Sequence, residues 1–271
     1  MTMCGIASLY SVRPISRNQL QNTATALLHR GPDGEGFWLS ENQKVALAHR
    51  RLSIIDLDTG AQPFSNEDNS IHVVVNGELY DFKRIRTELE RKRHVFKTNS
   101  DSEIALHLYE ERGLDFVKDL RGEFAVIIYD ERLNRLVAVR DRFGVKPLCF
   151  AYDKGDTLYV ASEAKAIFAA GYKAEWDEYS FFHACNAQYV PTNNTLFKGV
   201  KQLDAGHVLI FDGKDLNIKK YWDMNYPEEP INPEKSDEDY IQEFSDVFFE
   251  SIKLRLQSDV PVCSHLSGGI D

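Results

Sequence analysis

Short apolar runs of period two alternate along the chain with stretches of helical period. Val45, Leu47, Ser53 and Ile55 alternate against Ala46, Ala48, Leu52 and Ile54, which predicts a half-buried strand. Ile71 to Val75, Phe124 to Tyr129, Arg135 to Val139, Leu158 to Ala161 and His207 to Phe211 are further β-rich runs bounded by turn residues. Between them, Leu20, Ala24, Leu27 and Leu28 share one helical face and Phe82, Ile85 and Leu89 another. Ile104, Ala105 and Leu108 follow Ser100-Asp101-Ser102-Glu103, the spacing of a capping box. Strands in consecutive hairpin-like pairs, with helices grouped between them, predict an antiparallel α+β layer structure rather than a doubly wound sheet.

The pattern breaks between Asp212 and Ser236, where Gly213, Pro227, Pro230 and Pro233 stand among acidic residues. The expected division is a first domain over 1–212, a linker over 213–235 and a second unit over 236–271. Ser236 is placed to cap a helix with Ile241, Phe244, Val247, Phe248 and Ile252 along one stripe. Val260 to Leu266 reads as a strand running into a Gly-rich turn, Ser267-Gly268-Gly269-Ile270-Asp271. A strand and such a turn normally open a helix whose first N–H groups receive phosphate, so a truncated start of an α/β domain is expected here.

Composition narrows the function classes. The 271 residues suit one large domain or two small ones, and 43% hydrophobic with 27% charged residues is a globular mixture. A net charge of −10, from 32 Lys and Arg against 42 Asp and Glu, argues against nucleic acid as a partner. No apolar run approaches the roughly 18 residues that would span a bilayer, and Met1 to Tyr10 lack the features of a signal peptide. A cytoplasmic protein without a membrane partner is therefore expected. Cys4, Cys149, Cys185 and Cys263 are far apart, with no CxxC pair and no HExxH, so neither a structural zinc site nor a disulfide framework is indicated. Cys149, Cys185 and Cys263 read as buried structural thiols.

Cys4-Gly5-Ile6 is the first candidate for chemistry, since a thiol needs only a nearby base to become a strong nucleophile. Its position alone favours the plainer reading, a small apolar residue at the start of a strand. The later motifs are His29-Arg30-Gly31-Pro32-Asp33-Gly34, Arg50-Arg51-Leu52-Ser53, Asn76-Gly77-Glu78-Leu79-Tyr80, Asn99-Ser100-Asp101 and Arg140 to Leu148. In this order and spacing they resemble the class II glutamine amidotransferases over nearly the whole chain. The final Leu266 to Asp271 resembles the pyrophosphate-binding loop of glutamine-hydrolysing asparagine synthetases within that family.

The resemblance implies a four-layer αββα N-terminal-nucleophile sandwich, followed by the incomplete start of an ATP-pyrophosphatase-like domain. It implies hydrolysis of glutamine through a Cys4 thioester, with the Asn76 side-chain amide and the Gly77 N–H as oxyanion donors. A free α-amine titrates near working pH and can act as base and then acid, which Cys4 supplies if it is the first residue. Translation from Met3, followed by loss of that methionine, is expected to expose it. Asn76-Gly77 by itself reads as a type I′ hairpin turn after Val73 to Val75.

Free glutamine carries an α-carboxylate and an α-ammonium, and Arg51 and Asp101 are assigned to them, with Glu78 a further ligand near the ammonium. Alone, Arg51 reads equally as an edge residue, Asp101 as an acid in a first helical turn and Glu78 as a loop carboxylate. The loops at His29 to Gly34 and Arg140 to Pro147 are read as architecture.

Ser267, Gly268, Gly269 and Asp271 are the candidate nucleotide loop. No cofactor is expected for the glutaminase half. ATP and magnesium belong to the full-length family and, with aspartate, are expected only with the missing domain; a homodimer is left open. Two rival readings are an amidotransferase that feeds ammonia to a different acceptor, and a catalytically silent glutamine-binding or docking module.

Overall fold

The computed structural model describes residues 3–153, 155–191, 193–226, 235–264 and 268–269. Its strands are β1 (Gly5–Ser11), β2 (Gly34–Leu39), β3 (Val45–Arg51), β4 (Phe64–Ser65), β5 (Ile71–Leu79), β6 (Gly122–Asp130), β7 (Arg135–Arg140), β8 (Cys149–Asp153), β9 (Thr157–Ala161), β10 (Val200–Gln202), β11 (His207–Phe211) and β12 (Leu216–Lys220). Its helices are α1 (Arg17–Thr25), α2 (Phe82–Arg91), α3 (Ile104–Arg112), α4 (Ala164–Ala169), α5 (Glu178–Ala187) and α6 (Asp237–Arg255). The strands form two six-stranded sheets, ordered β10-β8-β9-β1-β3-β2 and β12-β11-β7-β6-β5-β4, with antiparallel pairing between neighbours.

Strand alternation explains the layers. In β5, Val73 and Val75 pack outward with Ile85 and Leu89 of α2 and Ile104 and Leu108 of α3. Val74 points the other way and packs with Ile6 and Leu47 of the first sheet. That sheet turns Ala7, Leu9, Ala46 and Ala48 outward onto Leu20 and Ala24 of α1 and Ala166 and Ile167 of α4. Both faces of both sheets are thus apolar, so helices must cover the outer ones, and the result is a four-layer αββα sandwich. Full burial of each large aliphatic or aromatic side chain is worth roughly 1.5–3 kcal/mol, so all three apolar layers hold the fold together.

The expected strands at Ile71 to Val75, Phe124 to Tyr129, Arg135 to Val139, Leu158 to Ala161 and His207 to Phe211 are all present. Several boundaries differ. The strand from Val45 stops at Arg51, because the chain bends into a loop over residues 52–62 instead of continuing to Ile55. α1 ends at Thr25, so Leu27 is buried while Leu28 faces solvent. Ser100 caps a short 3-10 turn by accepting from the Ser102 N–H, and Glu103 reaches instead to the N–H groups of Lys97 and Thr98, so the reciprocal capping box does not form. Residues 216–220, expected as linker, pair with β11 as the edge strand β12 after the turn at Asp212-Gly213. Ser236 does form a reciprocal capping box with Asp239 at the start of α6. Residues 260–264 are not a strand, because among the described residues no neighbouring strand pairs with them. Cys149 is buried, whereas Cys185 and Cys263 are exposed, contrary to the expectation for those two.

Candidate active site

Cys4 directly precedes β1, beside the end of β3, where Gly5 pairs with Arg50. A side chain at Gly5 would place its Cβ 2.8 Å from Leu27 Cβ, so the strand enters tight against α1's outgoing turn. Cys4 Sγ accepts a hydrogen bond from the Leu52 N–H at 3.3 Å. Arg30 Nε donates to the Cys4 carbonyl at 2.9 Å, and Arg30 Nη1 pairs with Glu163 at 2.8 Å. Burial pushes the Cys4 thiol pKa up, the Leu52 hydrogen bond opposes this, and the nearby Glu78 and Asp101 carboxylates add to the rise. The thiol is therefore protonated near neutral pH and needs a base to react.

Asn76 and Gly77 come from β5. They are not a hairpin turn: the strand runs on to Leu79, with Asn76 opposite Ala125 and Gly77 opposite Phe124. Alternation puts Asn76 and Glu78 on the same inner face as Val74, toward the sheet that carries Cys4. Asn76 is 1% exposed, yet neither its Nδ2 nor its Oδ1 has a hydrogen-bond partner. A buried amide left unpaired costs about 1–3 kcal/mol, a penalty that a ligand carbonyl or oxyanion would relieve. Gly77 has φ +153°, and a Cβ there would lie 2.1 Å from the Glu123 carbonyl oxygen, so only glycine fits.

Glu78 and Asp101 both border the cleft. Burial, reinforced by the Asp101 charge, pushes the Glu78 carboxyl up to about 8, and one of its oxygens, Oε2, is buried without a partner. Asp101 is 3% exposed and is raised to about 6 by burial, although it accepts from the Leu79 N–H at 2.6 Å. Two carboxyls in one desolvated place repel each other, and a ligand cation between them would let both ionise.

Arg51 lines the same cleft, but its Nη atoms are bound to the loop opposite: to the Leu57 and Ile55 carbonyls at 3.2 Å each, and to the Asp56 carbonyl. Cys4, Arg51, Gly77, Glu78 and Asp101 all border this cleft, together with Leu52, Gln62 and Val75. Five of the six expected site residues therefore line one wall system, and Asn76 stands beside it on the inner face.

A family model described as a glutamine amidotransferase domain matches residues 3–222. The chain belongs to that family. An asparagine synthase model matches residues 243–271 of the same amidotransferase chain. It is 38% identical to "Amidase chry2" of Gibberella zeae over 99% of its own length and 41% of the relative's. It is 35% identical to "Asparagine synthetase [glutamine-hydrolyzing] 1" of Bacillus subtilis, over 99% of its length and 42% of that protein's. The chain thus spans about two fifths of the curated relatives it matches. The solved glutamine phosphoribosylpyrophosphate amidotransferase of B. subtilis superposes with a TM-score of 0.61 at 20% identity, covering 82% of this chain and 50% of that one. That likeness concerns the fold.

Three neighbours of the amidotransferase cleft escaped the sequence reading. Arg30, in a loop read only as architecture, is buried and holds the Cys4 carbonyl. Gln62 binds both the N–H and the carbonyl of Val75 through its side chain, at 2.6 and 3.2 Å, and so fixes the cleft wall. Lys146, in the turn after β7, reaches Glu123 at 3.4 Å and the Met3 sulfur at 2.9 Å, beside the entrance to Cys4. A lysine inside Arg140 to Pro147 gave a signal only of charge, not of direction.

Of the nucleotide loop, Ser267 and Asp271 lie outside the described residues. Gly268 has φ +82° with open space where its Cβ would be.

Proposed function

We propose that this chain is the glutamine-hydrolysing part of an asparagine-forming amidotransferase, with Cys4 as nucleophile. Cys4 Sγ attacks the side-chain amide carbon of glutamine, and the thiol proton passes to the α-amine of Cys4, exposed once the preceding residues are removed. The oxyanion that forms takes hydrogen bonds from Asn76 Nδ2 and the Gly77 N–H. The C–N bond then breaks, the amine returns its proton to the leaving nitrogen, and ammonia departs. Water adds to the Cys4 thioester by the same path and releases glutamate. The observation that carries this reading is the buried, unpartnered Asn76 amide beside the glycine-only position 77.

Glu78 and Asp101 hold the glutamine α-ammonium, and Arg51 holds the α-carboxylate. The cleft is narrow, about 30 Å³, and an outward movement of the 52–62 loop would widen it for glutamine. The bonds from Arg51 to the 55–57 carbonyls are those that such a movement exchanges for the substrate carboxylate.

The test is Cys4→Ala with glutamine titrated into both proteins. Wild type should release ammonia and glutamate, and the variant should bind glutamine without turnover. Turnover by the variant at the wild-type rate, or no binding by either, would overturn the reading.

Asparagine as the product is supported by the match of residues 243–271 and by relatives such as the Bacillus subtilis synthetase, and in the longer protein it requires aspartate, ATP and magnesium. A different acceptor is favoured by one finding, the 38% and 40% identity to two fungal proteins named amidases. Asparagine formation from aspartate by the longer protein separates the two. We assign the glutaminase unit to the residues through β12, the linker to those between β12 and α6, the start of a synthetase domain to the residues from 236 on, and a cytoplasmic location to the whole.

A further inference from the structure

Glu67, His94, His107 and Glu110 come from three separate places. Glu67 stands in the turn between β4 and β5, His94 follows α2, and His107 and Glu110 occupy one face of α3 at i and i+3. One ligand atom from each lies within 4.8 Å of all the others. His107 Nδ1 is 3.1 Å from Glu110 Oε2, and His94 Nδ1 is 3.5 Å from that same oxygen. Glu67 Oε1 lies 3.8 Å from His94 Nδ1, and Glu67 Oε2 lies 4.0 Å from His107 Nδ1. Zinc bonds to imidazole and carboxylate of about 2.0–2.1 Å give a tetrahedron with edges of roughly 3.3 Å. These separations and the 4.8 Å bound on the whole set lie near or above that edge, so the side chains would draw together to hold an ion. We propose that Glu67, His94, His107 and Glu110 form a binding site for a divalent transition-metal cation of the zinc class.

The atoms behind the four ligands support this. A metal-bound imidazole usually donates its remote N–H to a carboxylate, which fixes the ring. His94 Nε2 is 3.1 Å from Glu111 Oε1. His107 is 1% exposed, and its Nε2 is buried with no hydrogen bond, while Glu103 Oε1 waits 3.8 Å away. Asn66 Nδ2 donates to Glu110 Oε1 at 2.7 Å and leaves Oε2 directed at the two rings. Charge points the same way. Glu67, Glu103, Glu110 and Glu111 face two imidazoles and Lys92, which pairs with Glu111, while Lys97 gives its ammonium to the Ser65 and Asn66 carbonyls. A divalent cation reduces this excess of negative charge.

Two imidazoles favour zinc-like ions over magnesium and calcium, and four protein ligands make a closed, structural site rather than a catalytic one. The ion would tie the β4–β5 turn and the end of α2 to α3. Glu103 also accepts from Thr98 and Lys97 just ahead of Asp101, so the site would stiffen the segment that presents Asp101 to the cleft.

Tag-free full chain with its thiols blocked, titrated with Zn²⁺ and separately with Co²⁺, tests the proposal. One equivalent should bind, with visible bands of tetrahedral Co²⁺, no thiolate charge-transfer band and a raised melting temperature. His94→Asn and Glu67→Gln each remove one ligand, and each should weaken binding at least tenfold in protein whose circular dichroism spectrum matches wild type. Glu111→Gln should weaken it less while leaving one equivalent bound. Binding undiminished in His94→Asn and Glu67→Gln, equal uptake of Mg²⁺, or no uptake at a few equivalents of Zn²⁺ would each overturn the site.

Discussion

The turn after β7 and the Cys4 cleft are both rich in buried polar groups, and they treat them in opposite ways. Asp141 accepts from the N–H groups of Phe143, Val145 and Lys146 at 2.9–3.0 Å and from Phe124 at 3.3 Å. Arg140 gives its guanidinium to the carbonyls of Lys146, Leu203 and Gly144 at 2.7–2.9 Å. Both side chains are satisfied by the chain's own backbone, so they hold a turn and ask for nothing more. In the cleft, the Asn76 amide and Glu78 Oε2 are buried with no partner. Such groups persist at a cost in stability because a ligand completes them. Asp141 and Arg140 are built to hold a turn, whereas Asn76 and Glu78 are left ready for a ligand.

Exchanging the two kinds of group should break this contrast most sharply at Asn76. Asn76→Ala should lower kcat for glutamine about 10²- to 10³-fold, the typical loss of one oxyanion donor, without lowering the melting temperature. A large loss of stability instead would place Asn76 with the architectural group. Asp141→Asn should do the reverse. Removing the charge that four N–H groups share should cost about 3 kcal/mol in urea unfolding, with kcat per folded molecule little changed.

A smaller effect separates the carboxyls. Because Glu78 titrates near 8 in the empty cleft and the substrate ammonium favours its ionised form, glutamine should bind more tightly as pH rises from 6 to 8, by up to about tenfold per unit, with release of a proton. The folded state holds that proton more tightly than the unfolded chain, whose carboxyl has the ordinary 4.5. This group's contribution to stability therefore falls as pH rises from 4.5 to 8. Glu78→Gln should flatten both profiles, whereas an unchanged pH dependence of binding would remove Glu78 from the ammonium site. The smallest effect is expected on α6, where Phe244 is 70% exposed: Phe244→Ser should shift stability by no more than about 0.5 kcal/mol.

Much of the sandwich was legible because β5, β6 and β7 are short β-rich apolar runs bounded by turn residues and the helical faces of α2 and α3 are apolar. Single-residue geometry was harder. Asn76-Gly77 has the composition of a turn, but β6 supplies a full ladder opposite it, with Gly122 at φ +154° facing the same stretch. Pairing with a distant strand overrode the local preference. β12 was hidden in polar linker composition because an edge strand that is exposed on Asn217, Lys219 and Lys220 needs no apolar alternation. The motifs gathered the candidate site residues, and Cys4, Arg51, Gly77, Glu78 and Asp101 do meet at one cleft from four separate segments. Arg30 at the Cys4 carbonyl, and the cluster of Glu67, His94, His107 and Glu110, depend on contacts between segments that no spacing announces.

The most direct measurement compares ammonia release from glutamine by two forms of the chain. One form begins at Cys4 and the other retains Met1-Thr2-Met3, and intact mass establishes each N-terminus. Turnover confined to the form that begins at Cys4 is the predicted result, because only there is the α-amine a base for the buried, protonated thiol. Equal turnover by both forms would contradict it, and would require another base for Cys4.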